Sequence, residues 1–284
     1  MAVPHQTGTC SSGDVTLFYR RFGKPGRTPI LIMHGMSYFS YDWIEVAQKL
    51  CTDREVACSD VRGYGESTWS EKQDYSVPTQ AQDIVNLLDH LGWNKALLVG
   101  HSMSGRSTTY VAAKHPARVA GLALIDYTPE NAPAGSKRVT QIVANTPDSF
   151  DSIEDAMQYF KGEDRERYEA YLRKTQGKYI VKRDPYFRDQ FRKVLETGER
   201  PKLGVDMWQL IGEVRCPMLS MRGARSDMYA PETAAKMQAA NPRLRVVEVD
   251  AGHNIAGENP AGFITALAPF LTSLEEKSHE YARH

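Results

Sequence analysis

A chain of 284 residues, 41% of them hydrophobic, can form one large domain or a domain carrying an insertion, and can bury a core without disulfide or metal staples. Its 35 basic residues balance 35 acidic ones, which excludes an overall charge that would draw nucleic acid or an anionic membrane and leaves a small molecule as the expected partner, with the oligomeric state open. Cys10, Cys51, Cys58 and Cys216 lack C-x-x-C or zinc-type spacing and read as reduced, Met1 to Thr7 has no basic start leading into an apolar run, and no apolar stretch reaches membrane-spanning length, so a cytoplasmic protein without metal or organic cofactor is expected.

Taken in chain order, Val15 to Tyr19 alternates like an antiparallel edge strand, and short apolar runs follow at Ile30 to Met33, Val56 to Cys58, Ala96 to Val99 and Leu122 to Ile125. Helical spacing fills the gaps at Tyr41 to Leu50, Thr79 to Leu91 and Ser102 to Lys114. After Asp126 the rhythm changes. From Tyr127 to Val205 the chain is rich in charge and tyrosine, patterned as helix with no convincing strand, and reads as an inserted helical lid. Strands return at Met218 to Met221 and Val246 to Val249, alternating with helices at Pro231 to Ala240 and Pro260 to Leu274 that proline opens. The expected architecture is an α/β core of residues 1–126 and 206–284, a mainly parallel sheet flanked by helices, interrupted by a cap of residues 127–205.

Chemistry concentrates where an apolar strand runs directly into a helix through Gly100-His-Ser-Met-Ser-Gly105. A serine on such a turn stands exposed at the carboxyl edge of the sheet, and small neighbours let strand and helix approach. Ser102 is therefore the candidate nucleophile. Ser104 occupies the position where G-x-S-x-G has its second glycine, which here follows as Gly105.

These features, with His34-Gly35-Met36 after a strand and Ser59-Asp-Val-Arg-Gly-Tyr-Gly-Glu-Ser67, resemble the α/β-hydrolase superfamily, and the resemblance runs along nearly the whole chain in the family's order. It implies that His253, in the loop before the final helix, is the general base, and that the backbone amides of Met36 and Met103 form the oxyanion hole. Two positions can supply the carboxylate that orients the base. Asp227 follows the strand after which most of the family carries its acid and is the favoured choice; Asp126, after the strand next to the nucleophile's, is the alternative.

Candidate substrate contacts are Tyr38 and Phe39 beyond the oxyanion residue, Tyr127, Tyr159 and Phe160 in the insertion, Trp208, and Arg106 on the nucleophile helix. Arg106 could grip a substrate carboxylate or tie its helix to a neighbouring acidic loop. Ser-x-x-Gly-Arg and Ile125-Asp-Tyr-Thr-Pro129 are similar to hydrolases of small acidic amides such as the acetamidomethylene-succinate hydrolases. The leading expectation is a serine hydrolase cleaving a small ester or lactone through an acyl-enzyme. The alternatives are hydrolysis of a carbon-nitrogen or carbon-carbon bond in a small acidic intermediate, and a ligand-binding receptor that retains the triad.

Overall fold

The computed structural model describes residues 5–281, so all but the end of Met1 to Thr7 lies outside the described residues. The runs β1 (Gln6–Ser12), β2 (Val15–Phe22), β3 (Ile30–Met33), β4 (Val56–Ser59), β5 (Ala96–His101), β6 (Val119–Ile125), β9 (Met218–Gly223) and β10 (Leu244–Val249) form one eight-stranded sheet in the order β1-β2-β4-β3-β5-β6-β9-β10. From β4 to β10 every pairing is parallel; β2 joins β4, and β1 joins β2, antiparallel. The sequence shows β2 but not β1. That edge strand is mostly polar and half exposed, and its hairpin turns on Gly13 at φ 59°, so it carries no apolar signal.

The continuous apolar strands are buried on both sides, as a parallel sheet requires. Alternate residues separate by face: Leu31, Met33 and Leu98 pack into one core, while Ile30, Ile32, Leu97 and Val99 pack into the other. The helices α1 (Ile44–Leu50) and α11 (Pro260–Tyr281) cover the second core. On the first, α2 (Val77–His90), α3 (Gly105–Lys114), α8 (Met207–Glu213) and α9 (Pro231–Ala240) pack side by side in that order. A single turn of helix, α10 (Ile255–Glu258), precedes α11.

Between β6 and β9 the chain leaves the sheet and forms α4 (Pro133–Ala144), α5 (Ile153–Phe160), α6 (Arg165–Tyr171) and α7 (Pro185–Thr197). It also forms a hairpin the sequence reading did not anticipate, β7 (Leu172–Thr175) with β8 (Lys178–Val181). The hairpin closes on Gln176 and Gly177, both in the left-handed region at φ 48° and 79°, a two-residue turn that suits the twist of paired strands. Exposed Arg173, Lys174 and Thr175 hide its apolar alternation. Phe150, Ala156, Tyr168, Tyr171, Leu172 and Val181 form a small core of this region's own, into which Phe39 inserts.

One buried ion pair ties the Ser59 to Ser67 turn to α2. Arg62 donates from Nε and Nη2 to the two carboxylate oxygens of Asp83 at 2.6 and 2.8 Å, and both side chains are almost fully buried. Ser12 Oγ adds a hydrogen bond to Asp83 at 2.5 Å, and Arg62 reaches Asp14 at 3.2 Å. Removing one partner of such a pair strands the other in a desolvated site. Asp83→Ala is therefore expected to lose about 3–5 kcal/mol in urea unfolding, against about 1 kcal/mol or less for an exposed pair such as Lys49–Glu45.

Candidate active site

Strand order reverses at β3, since the chain passes to β4 on one side and β5 on the other. Loops leaving the carboxyl ends of β3 and β5 diverge there and open a crevice, the usual position for a ligand in a sheet of this kind. The β3 loop brings Met36, Ser37 and Tyr38 to it, and the β5 turn brings Ser102 and Met103.

Ser102 sits at φ 49°, a left-handed backbone that a residue with a Cβ adopts only when its surroundings impose it. Here the imposition is tight packing. A Cβ on Gly35 would lie 2.8 Å from His101 Nδ1 and 3.0 Å from Ser102 Cβ, so only glycine lets the β3 loop pass this close to the turn. Ser104, in place of the second glycine, donates its buried hydroxyl to the His34 carbonyl at 2.5 Å and so fastens the turn to the same loop.

His253, in the loop after β10, directs Nε2 to Ser102 Oγ at 2.9 Å and Nδ1 to Asp126 Oδ2 at 2.6 Å. The favoured carboxylate of the sequence reading is thereby corrected: Asp126, not Asp227, orients the imidazole. Asp126 directly follows β6, the immediate neighbour of β5, with Ile125 in register with His101, so its carboxylate emerges beside the serine turn. The end of β9 and the loop after it supply the support, as Gly223 N donates to Asp126 Oδ1 at 2.8 Å and Ser226 Oγ to Oδ2 at 2.5 Å. Asp227 turns the other way, into a bidentate pair with Arg138 of α4 at 2.6 and 2.7 Å. Arg138 holds its carboxyl below the usual aspartate range.

The two histidines flanking this site hold its loops in place. His34 Nδ1 donates to the Gly35 carbonyl at 2.8 Å and Nε2 accepts from Val61 N at 2.9 Å, which fixes a neutral ring. Burial lowers it to about 4. His101 Nε2 donates to the His253 carbonyl at 3.1 Å, holding the loop that carries the imidazole. Burial, then the neighbouring His253, lowers it to about 3.

A cavity of about 1010 Å³ opens over Ser102 and His253. Its core side includes Met36, Tyr38, Met103, Arg106 and Tyr127; the opposite wall is α4, with Arg138, Val139, Ile142 and Val143, and α7, with Tyr186, Phe187, Gln190, Phe191 and Val194. Met36, Met103, Tyr38, Arg106 and Tyr127 thus meet at one place. Phe39, Tyr159, Phe160 and Trp208 do not. Phe39 and Phe160 belong to the insertion's own core, Tyr159 bonds the Asn145 carbonyl at 2.8 Å, and Trp208 packs on the main core from α8. Composition alone points to those aromatics, whereas the α4 wall is built by a stripe. Val139, Ile142 and Val143, at i, i+3 and i+4, are the amphipathic signal that could have located it. Nothing in the sequence marked Ser226 as the prop of Asp126.

Arg106 is free of the acidic loop that was one of its two expected partners. Among the described residues it has no hydrogen bond and no ion pair, and the groups acting on its charge are Tyr127, Arg200 and Tyr64. Among the described residues no cluster of three or more His, Cys, Asp or Glu side chains is placed to hold a metal ion, and no helix is long and apolar enough to cross a membrane.

The family model for the alpha/beta hydrolase fold matches residues 28–260. The chain is 31% identical over 270 residues to the 3-hydroxybutyrate-oligomer hydrolase of Cupriavidus necator, covering 88% of this chain and 90% of that one. It is 28% identical over 265 residues to the N-formylmaleamate deformylase of Pseudomonas putida, covering 93% and 96%. A crystal structure of an alpha/beta hydrolase from Novosphingobium aromaticivorans superposes with a TM-score of 0.77 at 27% identity, covering 96% of this chain and 99% of that one.

The two buried rings set an acid limit on the fold. Both pKa values lie below the ordinary 6.5, so as pH falls below 6.5 the unfolded chain takes up two protons that the folded one does not, and stability is lost toward acid. Proton NMR should show neither ring titrating between pH 8 and pH 5, within roughly the window where an unperturbed histidine changes charge. A midpoint near 6.5 for either would contradict the packing described.

Proposed function

Because the chain belongs to the α/β-hydrolase family and is a hydrolase, we propose that it cleaves a small ester through an acyl-enzyme formed on Ser102. The observation that carries this reading is the unbroken chain Ser102 Oγ, His253, Asp126, with contacts of 2.9 and 2.6 Å, at the strained turn. A serine hydroxyl needs a base within hydrogen-bond reach, and the base needs a group that fixes its tautomer.

In the proposed cycle His253 Nε2 takes the Ser102 proton as Oγ bonds to the scissile carbonyl carbon. Asp126, already held by Gly223 N and Ser226, keeps the proton of Nδ1 directed at itself and stabilises the imidazolium. The oxyanion is received by the amides of Met36 and Met103, whose residues border the cavity beside Ser102. The carbon-oxygen bond to the leaving alcohol breaks as His253 returns the proton to that oxygen. Water, activated by the same ring, then releases the acid. The insertion acts as the lid: α4 and α7 wall the site and limit both water access and substrate size.

A second reading keeps these residues and changes the bond. The deformylase relative favours a carbon-nitrogen substrate, for which His253 would protonate a leaving nitrogen. Assays with matched small esters, lactones and amides separate the two.

Ser102→Ala is expected to fold, to escape labelling by a serine-directed phosphonate and to lose roughly 10⁴-fold or more in kcat/KM on p-nitrophenyl butyrate. Asp126→Asn should cost about 10³- to 10⁴-fold, because an amide there favours the wrong imidazole tautomer. Asp227→Asn, which only loosens an exposed pair with Arg138, should cost less than about tenfold. Equal damage at the two aspartates would remove Asp126 from the proposed triad.

A further inference from the structure

Two polar groups in the cavity wall are left without partners. Tyr127 is 3% exposed, and its hydroxyl is buried with no hydrogen bond. Its ring is packed hard against α3, where a Cβ on Gly105 would fall 2.2 Å from Tyr127 Cγ. The next residue on that helix is Arg106, whose guanidinium is likewise without a hydrogen bond or ion pair among the described residues. Both residues line the cavity that Ser102 opens into.

Such an arrangement is costly by itself. A buried hydroxyl without a partner forfeits about 1–3 kcal/mol, and a half-buried cation without a counter-ion forfeits more. The chain does not spend arginines carelessly nearby: Arg138 and Arg167, also in the wall, each have a carboxylate, Asp227 and Asp42. At the cavity's margin Arg200 is a second arginine without an acid among the described residues, held instead by the Ser136 carbonyl and Thr140 Oγ1 at 3.3 and 2.7 Å. It repels Arg106, which burial and this repulsion hold below its ordinary arginine value. Two arginines without an acid at one cavity, with a buried hydroxyl beside them that has no partner, lack an anionic acceptor.

We infer that Arg106 and Tyr127 form a carboxylate-binding subsite of the catalytic cavity, with Arg200 at its entrance, so that the substrate is an ester or amide bearing a free carboxylate. This rests on the reading of Ser102 as nucleophile. Arg106 stands one helical turn, about 6 Å of rise, beyond Ser102, so the carboxylate lies a few bonds from the scissile carbonyl. The guanidinium fork suits a carboxylate bidentately, and the tyrosine hydroxyl donates to the remaining lone pair. The carboxylate could belong to the acyl half or to the leaving alcohol; the chemistry at Arg106 is the same.

The test uses two matched pairs of esters on the full chain. Mono-p-nitrophenyl glutarate and its methyl ester place the charge on the acyl side; 3-butyryloxybutyrate and its methyl ester place it on the alcohol side. The wild type should prefer the free acid over its methyl ester in one pair by about tenfold or more in kcat/KM, and Arg106→Gln should reduce that preference about 10- to 100-fold. Tyr127→Phe, which removes only the hydroxyl, should reduce it about three- to tenfold. No preference for the acid in either pair, or a preference that survives Arg106→Gln, overturns the subsite.

Glutarate binding measured by calorimetry on Ser102→Ala supplies a readout that needs no turnover. Binding that weakens by about tenfold or more in Ser102→Ala with Arg106→Gln supports the subsite even if no ester is cleaved, and equal binding overturns it. Loss of phosphonate labelling at Ser102 in the wild type would instead overturn the catalytic reading. The two failures are thus distinct.

Discussion

Close approach of the β3 loop to the β5 turn is the constraint from which the rest of the site follows. Ser102 can stay in a left-handed backbone only because Gly35 leaves room for it and Ser104 anchors it to the His34 carbonyl. His34 in turn accepts from Val61 N, which couples the β3 loop to the Ser59 to Ser67 turn, and that turn is pinned to α2 by Arg62 and Asp83. His101, next to the serine, holds the carbonyl of His253. Strain at a single residue is therefore balanced by contacts reaching four separate strands or their loops, and the hydroxyl it exposes meets a ring already held in position.

Much of this was legible in the sequence because parallel strands and glycine-dependent turns write themselves in short runs. Ile30–Met33 and Pro231–Ala240 fall where periodicity places them, and Ser102 and His253 meet as their motifs imply. The carboxylate did not yield to the same reasoning. Both aspartates follow a strand of the sheet, and the difference lies in side-chain direction: Asp126 points to a ring and two donors, Asp227 to an arginine 89 positions away in the chain. Linear spacing holds no information about that choice.

The insertion is legible only in part. Its helical pattern and its place between β6 and β9 can be read, and of its aromatics Tyr127, Tyr186, Phe187 and Phe191 reach the cavity whereas Tyr159 and Phe160 do not. Phe160, Tyr168 and Tyr171 are used in a separate small core, since a segment that projects from a sheet must first bury apolar surface of its own. The face toward the proposed nucleophile is instead aliphatic on α4, aromatic on α7, and cationic at its ends.

Asp227 has been released from orienting an imidazole and is employed as a fastener. Through Arg138 it joins α4 to the loop that also carries Ser226, the residue propping Asp126. One short stretch of backbone thus bears on both the α4 wall of the cavity and the carboxylate behind the His253 ring. The Arg138–Asp227 pair is partly open to solvent, so its grip weakens as dissolved ions screen it, while the buried contacts of Asp126 are screened far less. Ionic strength therefore acts unequally on the two ends of the same loop, slackening the cavity's α4 wall while leaving the contacts from Asp126 through His253 to Ser102 intact.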